Sequence, residues 1–454
     1  GRISIIYYLD KAVPGNNKRP DLGRSSQCLY WSVLEFPDWF RSRRCGWLPF
    51  AYVLVSDQKA ATLTDSMLVT FMLNSFDSAT SQVSFSTGVV VENANGERLT
   101  LVVSDHLHCA DWDQHIKTFN RKGYSGIVPC DFCKNVVGRC AEFDDHEYLV
   151  HLNSTDYDKL DRHTPESFKQ AVEQVRNAAL NLTPAQLDAE EKATGIKWDP
   201  DAIIFDQAWL DKLKYPLCEI PDWMHHLVAS GGLAQYELNG MTIYMVDTLP
   251  NLTVEDIDAW VAAVRKPKGM TKISKHFFTT RVVRRAGAHV RAFAAEVLSA
   301  VVLLGFFIDV VVRDVALADP VVYAELLDRI ACFDLLRVVL TILQRANYND
   351  LGTFREALYA HNVLYKRFYH VIPKFHGSVH IADAWELIMR LLSCWGPERH
   401  HRLMKRVMSF SYKGAVRTAL AYDLRHWFRS LQDPPAYVPM HVLTLLSRDY
   451  GMAC

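Results

Sequence analysis

Residues Ala110 to Cys133 read Ala-Asp-Trp-Asp-Gln-His-Ile-Lys-Thr-Phe-Asn-Arg-Lys-Gly-Tyr-Ser-Gly-Ile-Val-Pro-Cys-Asp-Phe-Cys. An apolar, strand-like segment ends there on a carboxylate, Asp111, and a turn-rich basic link leads on to Cys130-Asp-Phe-Cys133. A carboxylate at a strand end can hold a hard divalent cation, and a Cys-x-x-Cys pair is half of a tetrahedral zinc site. Partners for both must come from elsewhere in the chain.

The 454 residues suffice for two or three domains, and the 49% apolar content supports a sizeable core. With a formal net charge of -1, any nucleic-acid binding has to come from local basic patches. The ten cysteines lack the spacing of a disulfide scaffold, so a reducing compartment is expected. The chain opens Gly-Arg-Ile-Ser and enters a strand pattern at once, which reads as a fragment lacking an upstream segment. Its longest apolar run, Val297 to Ile308, falls short of the roughly 20 residues a bilayer requires. Glu296 and Asp309 flank it, so a buried helix rather than a membrane span is expected. Glycosylation-type matches at Asn153, Asn181 and Asn251 read as chance in an intracellular protein.

Outward from the opening stretch, the pattern is that of an α/β chain with a long helical interruption. Ile3 to Leu9 is a β-branched strand running into Asp10, with the turn Pro14-Gly15-Asn16-Asn17 behind it. Gln27 to Phe36 and Pro49 to Ser56 repeat the strand pattern, and Thr64 to Phe76 reads as a helix capped by Thr64 or Asp65. Gly88 to Glu92 and Glu97 to Val103 flank Asn95-Gly96, a type I′ hairpin signature. Residues 150 to 370 turn mainly helical, with starts at Thr164-Pro165, Thr183-Pro184, Thr253, Asp319-Pro320 and Thr353, and a stop at Gly195. His376-Gly-Ser-Val-His380 precedes a helix through Leu392, Trp395-Gly396-Pro397 breaks it, and a last helix begins at Pro397-Glu398. The expected divisions are residues 1–149, 150–370, 371–430 and 431–454.

Metal-dependent phosphoryl transfer needs oxygen ligands from separate elements around a pair of divalent ions. Asp10 at a strand end, Asp111 and Glu398 on a late helix meet that need. Asp105, directly after the cleaner apolar run Leu99 to Val103, competes with Asp111, and Asp113 is a third option. Arg402 and Lys405 lie four and seven residues beyond Glu398 and share its helix face, which suits a DNA backbone.

Three features in order are Tyr-Tyr-Leu-Asp10, then Asp111 with Cys130-Asp-Phe-Cys133, then His376, His380 and Glu398-Arg-His-His-Arg-Leu-Met-Lys405 after a helical insertion. Together they resemble cut-and-paste DNA transposases of the DDE type, nearest to the CACTA, Mirage and Chapaev assemblage and the related antigen-receptor recombinase core. The resemblance spans nearly the whole chain. It implies an α/β fold with a ribonuclease H-like mixed-sheet core interrupted by a large, mainly helical insertion. It further implies that Asp10, Asp111 and Glu398 hold two Mg²⁺ or Mn²⁺ ions for strand cleavage and strand transfer at transposon ends. Double-stranded DNA, a homodimer or higher oligomer on that DNA, a nuclear location and no membrane go with it. The resembling families place the second acid at about the distance of Asp111 from the Cys pair, which favours it over Asp105. A catalytically silent descendant that binds DNA or protein is the alternative.

On the same resemblance, His376 and His380 complete Cys130 and Cys133 as a structural Zn²⁺ site clamping the neck of the insertion, with Cys140 and His370 as substitute ligands. Asp222-Trp-Met-His225 resembles a motif those families carry inside the insertion and reads as a buried polar pair fixing the insertion rather than as a group near the cleavage site, the alternative. Between Asp258 and Glu296 no acid interrupts Arg265, Lys266, Lys268, Lys272, Lys275, Arg281, Arg284, Arg285 and Arg291. A second acid-free basic stretch runs from Glu398 to Asp423. Lys275, Arg281, Arg284, Arg285, Arg402 and Lys405 are the expected phosphate contacts, whereas Phe277 and Phe278 read as core.

Overall fold

The computed structural model describes all residues except 17–18, 78–83, 93–94, 139–147, 230, 412–413 and 433–454. The chain forms two units, one of Gly1–Gly126, His163–Ile220 and Cys394–Cys454, the other of Ile127–Arg162 and Pro221–Ser393. The division falls differently from the sequence-based one. Residues 163–220, expected in the helical insertion, belong to the sheet-bearing unit, and residues 371–393 belong to the helical one. The expected tail 431–454 lies almost wholly outside the described residues.

The first unit is built on a mixed sheet. Its strands are Arg2–Ala12 (β1), Ser26–Val33 (β2), Leu48–Leu54 (β3), Val89–Glu92 (β4), Arg98–Ala110 (β5) and Glu219–Pro221 (β6). The order is β6-β5-β1-β2-β3, with β4 paired to β5. β1, β2 and β3 run antiparallel in succession, whereas β5 lies parallel to β1. β1 is covered on both faces: Ile3 to Leu9 is buried throughout and apolar except for Ser4, rather than alternating. Tyr7 and Leu9 enter a core with Leu68, Val69 and Met72 of the helix Asp65–Asp77 and with Phe168, Val172 and Val175 of the helix Pro165–Asn181. Side chains alternate along a strand, so Tyr8 and Asp10 face the other way. There Tyr8 and Tyr30 pack on His401 and His400 of the helix Trp395–Phe410.

Local boundaries differ from expectation in a few places. Asp10 lies inside β1, two residues before its end. β4 and β5 pair antiparallel from Val89 opposite Leu101 to Glu92 opposite Arg98, as expected of the strands flanking Asn95-Gly96, and residues 93–94 of the link lie outside the described residues. Thr164 and Thr183 cap their helices with capping boxes and proline at the first turn, and Gly195 stops the second helix at φ 70°.

The second unit is helical: Leu233–Thr248, Val254–Ala263, Ala294–Phe307, Ala324–Arg345, Leu351–Phe368 and Pro373–Ile388 are its main members. The helix after Asp319-Pro320 starts at Ala324, and Thr353 lies inside the helix that begins at Leu351. The apolar run expected to be too short for a bilayer is part of a longer helix, Ala294–Ala318, continued through a π-helical turn at Ile308–Val312. Its 25 residues are long and apolar enough to cross a membrane by length and composition, its most apolar 18-residue window having a mean hydropathy of 2.3, and 56% of that window is buried within the fold. Asp309 does not end the helix because its carboxylate is paired to Arg313 one turn on, at 2.7 Å, and to Arg337 of the neighbouring helix, at 2.9 Å.

Candidate functional site

In the first unit, β1 and β5 place Tyr7 opposite His108; Asp10 follows three residues after Tyr7, and Asp111 three after His108, just past the last strand residue Ala110. Asp105 lies opposite Ser4 instead and is bound to Lys214 at 3.0 Å. Six residues of strand, about 20 Å, separate that position from Asp10. Asp113 points into solvent beside Lys117. Asp111 is therefore the acid that neighbours Asp10.

Glu398 stands in the first turn of Trp395–Phe410, which starts two residues earlier than expected and carries Pro397 in that turn. Burial pushes the Tyr8 phenol well up, and the carboxylates of Asp10, Glu398 and Asp111 push it further, so all three acids act on one hydroxyl. Tyr8 Oη donates to Asp10 Oδ2 at 3.1 Å, and His401 Nδ1 lies 3.3 Å from the same oxygen. Burial would lower His401, but the hydrogen bond to Asp10 and the influence of Cys28 lift it to about 10. Asp111 accepts the Gln114 N–H at 2.8 Å as N-cap of the helix Trp112–Thr118, which orients its carboxyl group at the end of β5. All three acids are half-buried. Among the described residues, these three acids are not one of the groups whose ligand atoms all lie within 4.8 Å of one another.

The Glu398 helix is fixed to the sheet by close contacts. Gly396 lies against Trp47, where a Cβ would fall 2.4 Å from Trp47 Nε1 and 2.7 Å from the Arg41 carbonyl oxygen. His400 donates from Nε2 to the Arg44 carbonyl at 2.6 Å, and its Nδ1 lies 3.1 Å from the Asp423 carboxylate, which Tyr52 also binds.

The second unit holds a different donor set. His376 and His380, four residues apart on Pro373–Ile388, share one helix face and meet Cys130 and Cys133. Cys130 Sγ lies 3.2 Å from His376 Nε2 and 3.3 Å from His380 Nε2, Cys133 Sγ is 3.6 Å from His380 Nε2, and the two Nε2 atoms are 3.1 Å apart. All four residues are buried, and their donor atoms lie within 4.8 Å of one another, so the group could hold a metal ion. Behind it, His380 Nδ1 faces Asp383 Oδ2 at 3.1 Å, and Arg162 grips the same carboxylate from Nε and Nη2, both at 3.0 Å. Burial alone would raise Asp383, but His380 and Arg162 outweigh it and hold the group at about 2. Burial pushes the Cys130 thiol up to about 11 and the His376 imidazole down.

Other expectations sort as follows. Cys140 lies outside the described residues, and His370 packs against Tyr236, with the rings tilted to each other, rather than joining the metal group. Asp222 is buried, with Oδ2 at 2.5 Å from His225 Nδ1, and Lys374 donates to the His225 carbonyl at 2.9 Å, bracing the start of the His376 helix. Phe277 and Phe278 are core. Lys275, Arg285 and Arg402 are exposed and Lys405 is half-buried. Arg284 is paired with Asp247 at 2.8 Å, and Arg281 donates to the Arg291 carbonyl at 2.9 Å.

Sequence reasoning missed Tyr8, His401, Asp383 and Arg162. The first three carried a local signal: Tyr8 sits two residues from Asp10 on the same strand face, His401 three from Glu398 and Asp383 three from His380. Arg162 carried none, since it lies 221 residues from Asp383 in the chain. Compared with known proteins, the chain matches no protein-family model and no curated protein.

Proposed function

We propose that the chain is the catalytic core of a DDE-type DNA transposase, built on a ribonuclease H-like sheet and performing metal-dependent strand cleavage and strand transfer at transposon ends. The observation that supports this reading is that Asp10 of β1, Asp111 just past the end of the parallel strand β5 and Glu398 of Trp395–Phe410 all act on the buried Tyr8 phenol. Two Mg²⁺ or Mn²⁺ ions held by these acids would activate an attacking oxygen and stabilise a leaving one. Tyr8 and His401 hold Asp10 in place, the N-cap bond orients Asp111, and Arg402 and Lys405 offer cations to a phosphate backbone along the Glu398 helix. Double-stranded DNA is the partner, bound by a homodimer or higher oligomer in the nucleus.

Cys130, Cys133, His376 and His380 are assigned on this reading to a structural zinc. Tetrahedral zinc with bonds of about 2.3 Å to sulfur and about 2.05 Å to nitrogen has edges of about 3.4 Å between nitrogens and about 3.6 Å between sulfur and nitrogen. The separations of 3.1 to 3.6 Å are close to those edges.

Purified protein with Mn²⁺ and duplex DNA carrying a transposon end is expected to nick and join that DNA. Glu398→Gln is expected to lose at least about 100-fold in rate, and Asp105→Asn to stay within about two-fold. A wild-type protein that binds such DNA without cutting it would be the silent descendant. A Glu398→Gln variant as active as wild type sinks the catalytic reading.

A further inference from the structure

The helical unit contains a second set of metal-type donors, distinct from the Cys130 group. Glu237 on Leu233–Thr248, Cys332 on Ala324–Arg345 and His361 on Leu351–Phe368 bring one ligating atom each within 4.8 Å of the others. All three residues are fully buried. Glu237 Oε2 lies 2.7 Å from His361 Nε2, but Glu237 Oε1, equally buried, meets no hydrogen-bond partner. The Cys332 thiol reaches the His361 carbonyl oxygen only by a long contact of 3.9 Å and lies beside the Glu237 carboxylate. Arg329, one turn before Cys332, is engaged elsewhere: it binds Glu325 at 2.7 Å and stacks on Tyr244, Phe368 and Tyr369.

A carboxylate with one unpartnered oxygen in a dry helical core is costly, and a neutral imidazole satisfies only half of it. A divalent cation answers every open valence at once. The carboxylate and a thiolate supply two negative charges, which cancel the ion's two positive ones, and the imidazole is the neutral ligand. Both Glu237 oxygens, Cys332 Sγ and His361 Nε2 make four donors. We propose that Glu237, Cys332 and His361 form a second, closed structural site for a zinc ion in the helical unit.

The mixed sulfur, nitrogen and oxygen set suits zinc, and complete burial without a place for solvent marks a structural rather than a catalytic site. Proton accounting is simple. The thiol proton leaves to solvent, and the imidazole proton moves from Nε2 to Nδ1, which faces Asn362 Oδ1 at 3.4 Å. Asn362 presents that oxygen because its Nδ2 donates to Tyr157 Oη at 3.0 Å and approaches Ser378 Oγ at 3.4 Å. Such an outer partner fixes the ring of a metal-bound histidine. The ion would join three helices whose donors are far apart in sequence.

The test is the zinc content of the purified full chain, measured by elemental mass spectrometry. Wild type is expected to carry about two zinc ions per chain. Cys332→Ser and the isosteric Glu237→Gln, each checked for native helicity, should each lose one equivalent, and Cys130→Ser should lose the other. Loss of zinc in Cys332→Ser but not in Cys130→Ser would support this site while removing the Cys130 assignment. Wild type with one equivalent that disappears in Cys130→Ser overturns the proposal. So does a folded Glu237→Gln protein that retains both ions.

Discussion

A histidine that binds an ion through Nε2 needs its Nδ1 proton held, and for His380 the Asp383 carboxylate at 3.1 Å does this, itself fixed by Arg162. Asp383→Asn keeps the shape but loses the charge, and zinc affinity at the Cys130 group is expected to fall about 10- to 100-fold, read by competition with a chromophoric chelator. The pH dependence has a definite sign. In the metal-free protein burial would lower His380, but Cys130 and Asp383 lift it to about 9, and burial lifts the Cys130 thiol to about 11. Both groups therefore hold protons at neutral pH that an ion must displace, so apparent zinc affinity rises as pH rises from about 6.5 to 9. An affinity flat across that range would argue against these ligands. At this scale the metal donors were readable from the spacing of Cys130-x-x-Cys133 and His376-x-x-x-His380 together with the family resemblance, because helix periodicity sets which side chains share a face. Their outer partner Arg162 was not, because its role depends on a contact across more than two hundred residues. Glu237, Cys332 and His361 were likewise unreadable, for each comes from a different helix and the three are far apart in the chain.

Elements, rather than single side chains, decide where Glu398 points. The first turn of its helix rests on Trp47 through Gly396, and an added Cβ would meet the indole nitrogen and the Arg41 backbone well inside contact distance. Backbone cannot yield as a flexible side-chain end can, so Gly396→Ala must tilt or shift the helix start. The expected cost is about 1–3 kcal/mol of stability. On the proposed reading, activity should fall along with it, while Gly352→Ala, at an open helical position, should do neither harm. Calorimetry and the DNA-nicking assay check the pair, and equal behaviour of the two variants would show that Gly396 has no positioning role. Strand and helix identities were largely legible from apolar runs, caps and prolines, as at Thr164, Thr183 and Gly195. The Glu398 helix start was misplaced because Pro397 suggested a first residue, whereas proline needs no N–H anywhere in a first turn. The apolar run at Val297 to Ile308 was cut short for a similar reason: Asp309 looks like a polar stop until Arg313 and Arg337 are seen to neutralise it.

For the molecule as a whole, the hardest feature to read was which helices serve the sheet. Pro165–Asn181 and Gln207–Leu213 bury apolar stripes against β1 and its neighbours, yet an apolar stripe looks the same in sequence whether it meets a strand or another helix. Charge is simpler, because it can be summed. With a net charge of -1 the molecule has little overall attraction for a polyanion, so on the proposed reading DNA would be held by local basic stretches, one of them the acid-free run between Asp258 and Glu296. Within that run Lys272, Lys275 and Arg285 are exposed, while Arg284 already answers Asp247. If the three exposed cations each neutralise one phosphate, replacing all of them with alanine removes about 2.7 from the slope of log affinity against log salt, at about 0.9 per contact on duplex DNA. The loss should be the same on random duplex and on duplex carrying a transposon end, since phosphate contacts carry no base information. Fluorescence anisotropy from about 50 to 200 mM salt measures both slopes. A weaker affinity with an unchanged slope would mean that these residues act through net charge alone, and an unchanged affinity would place the DNA elsewhere on the molecule.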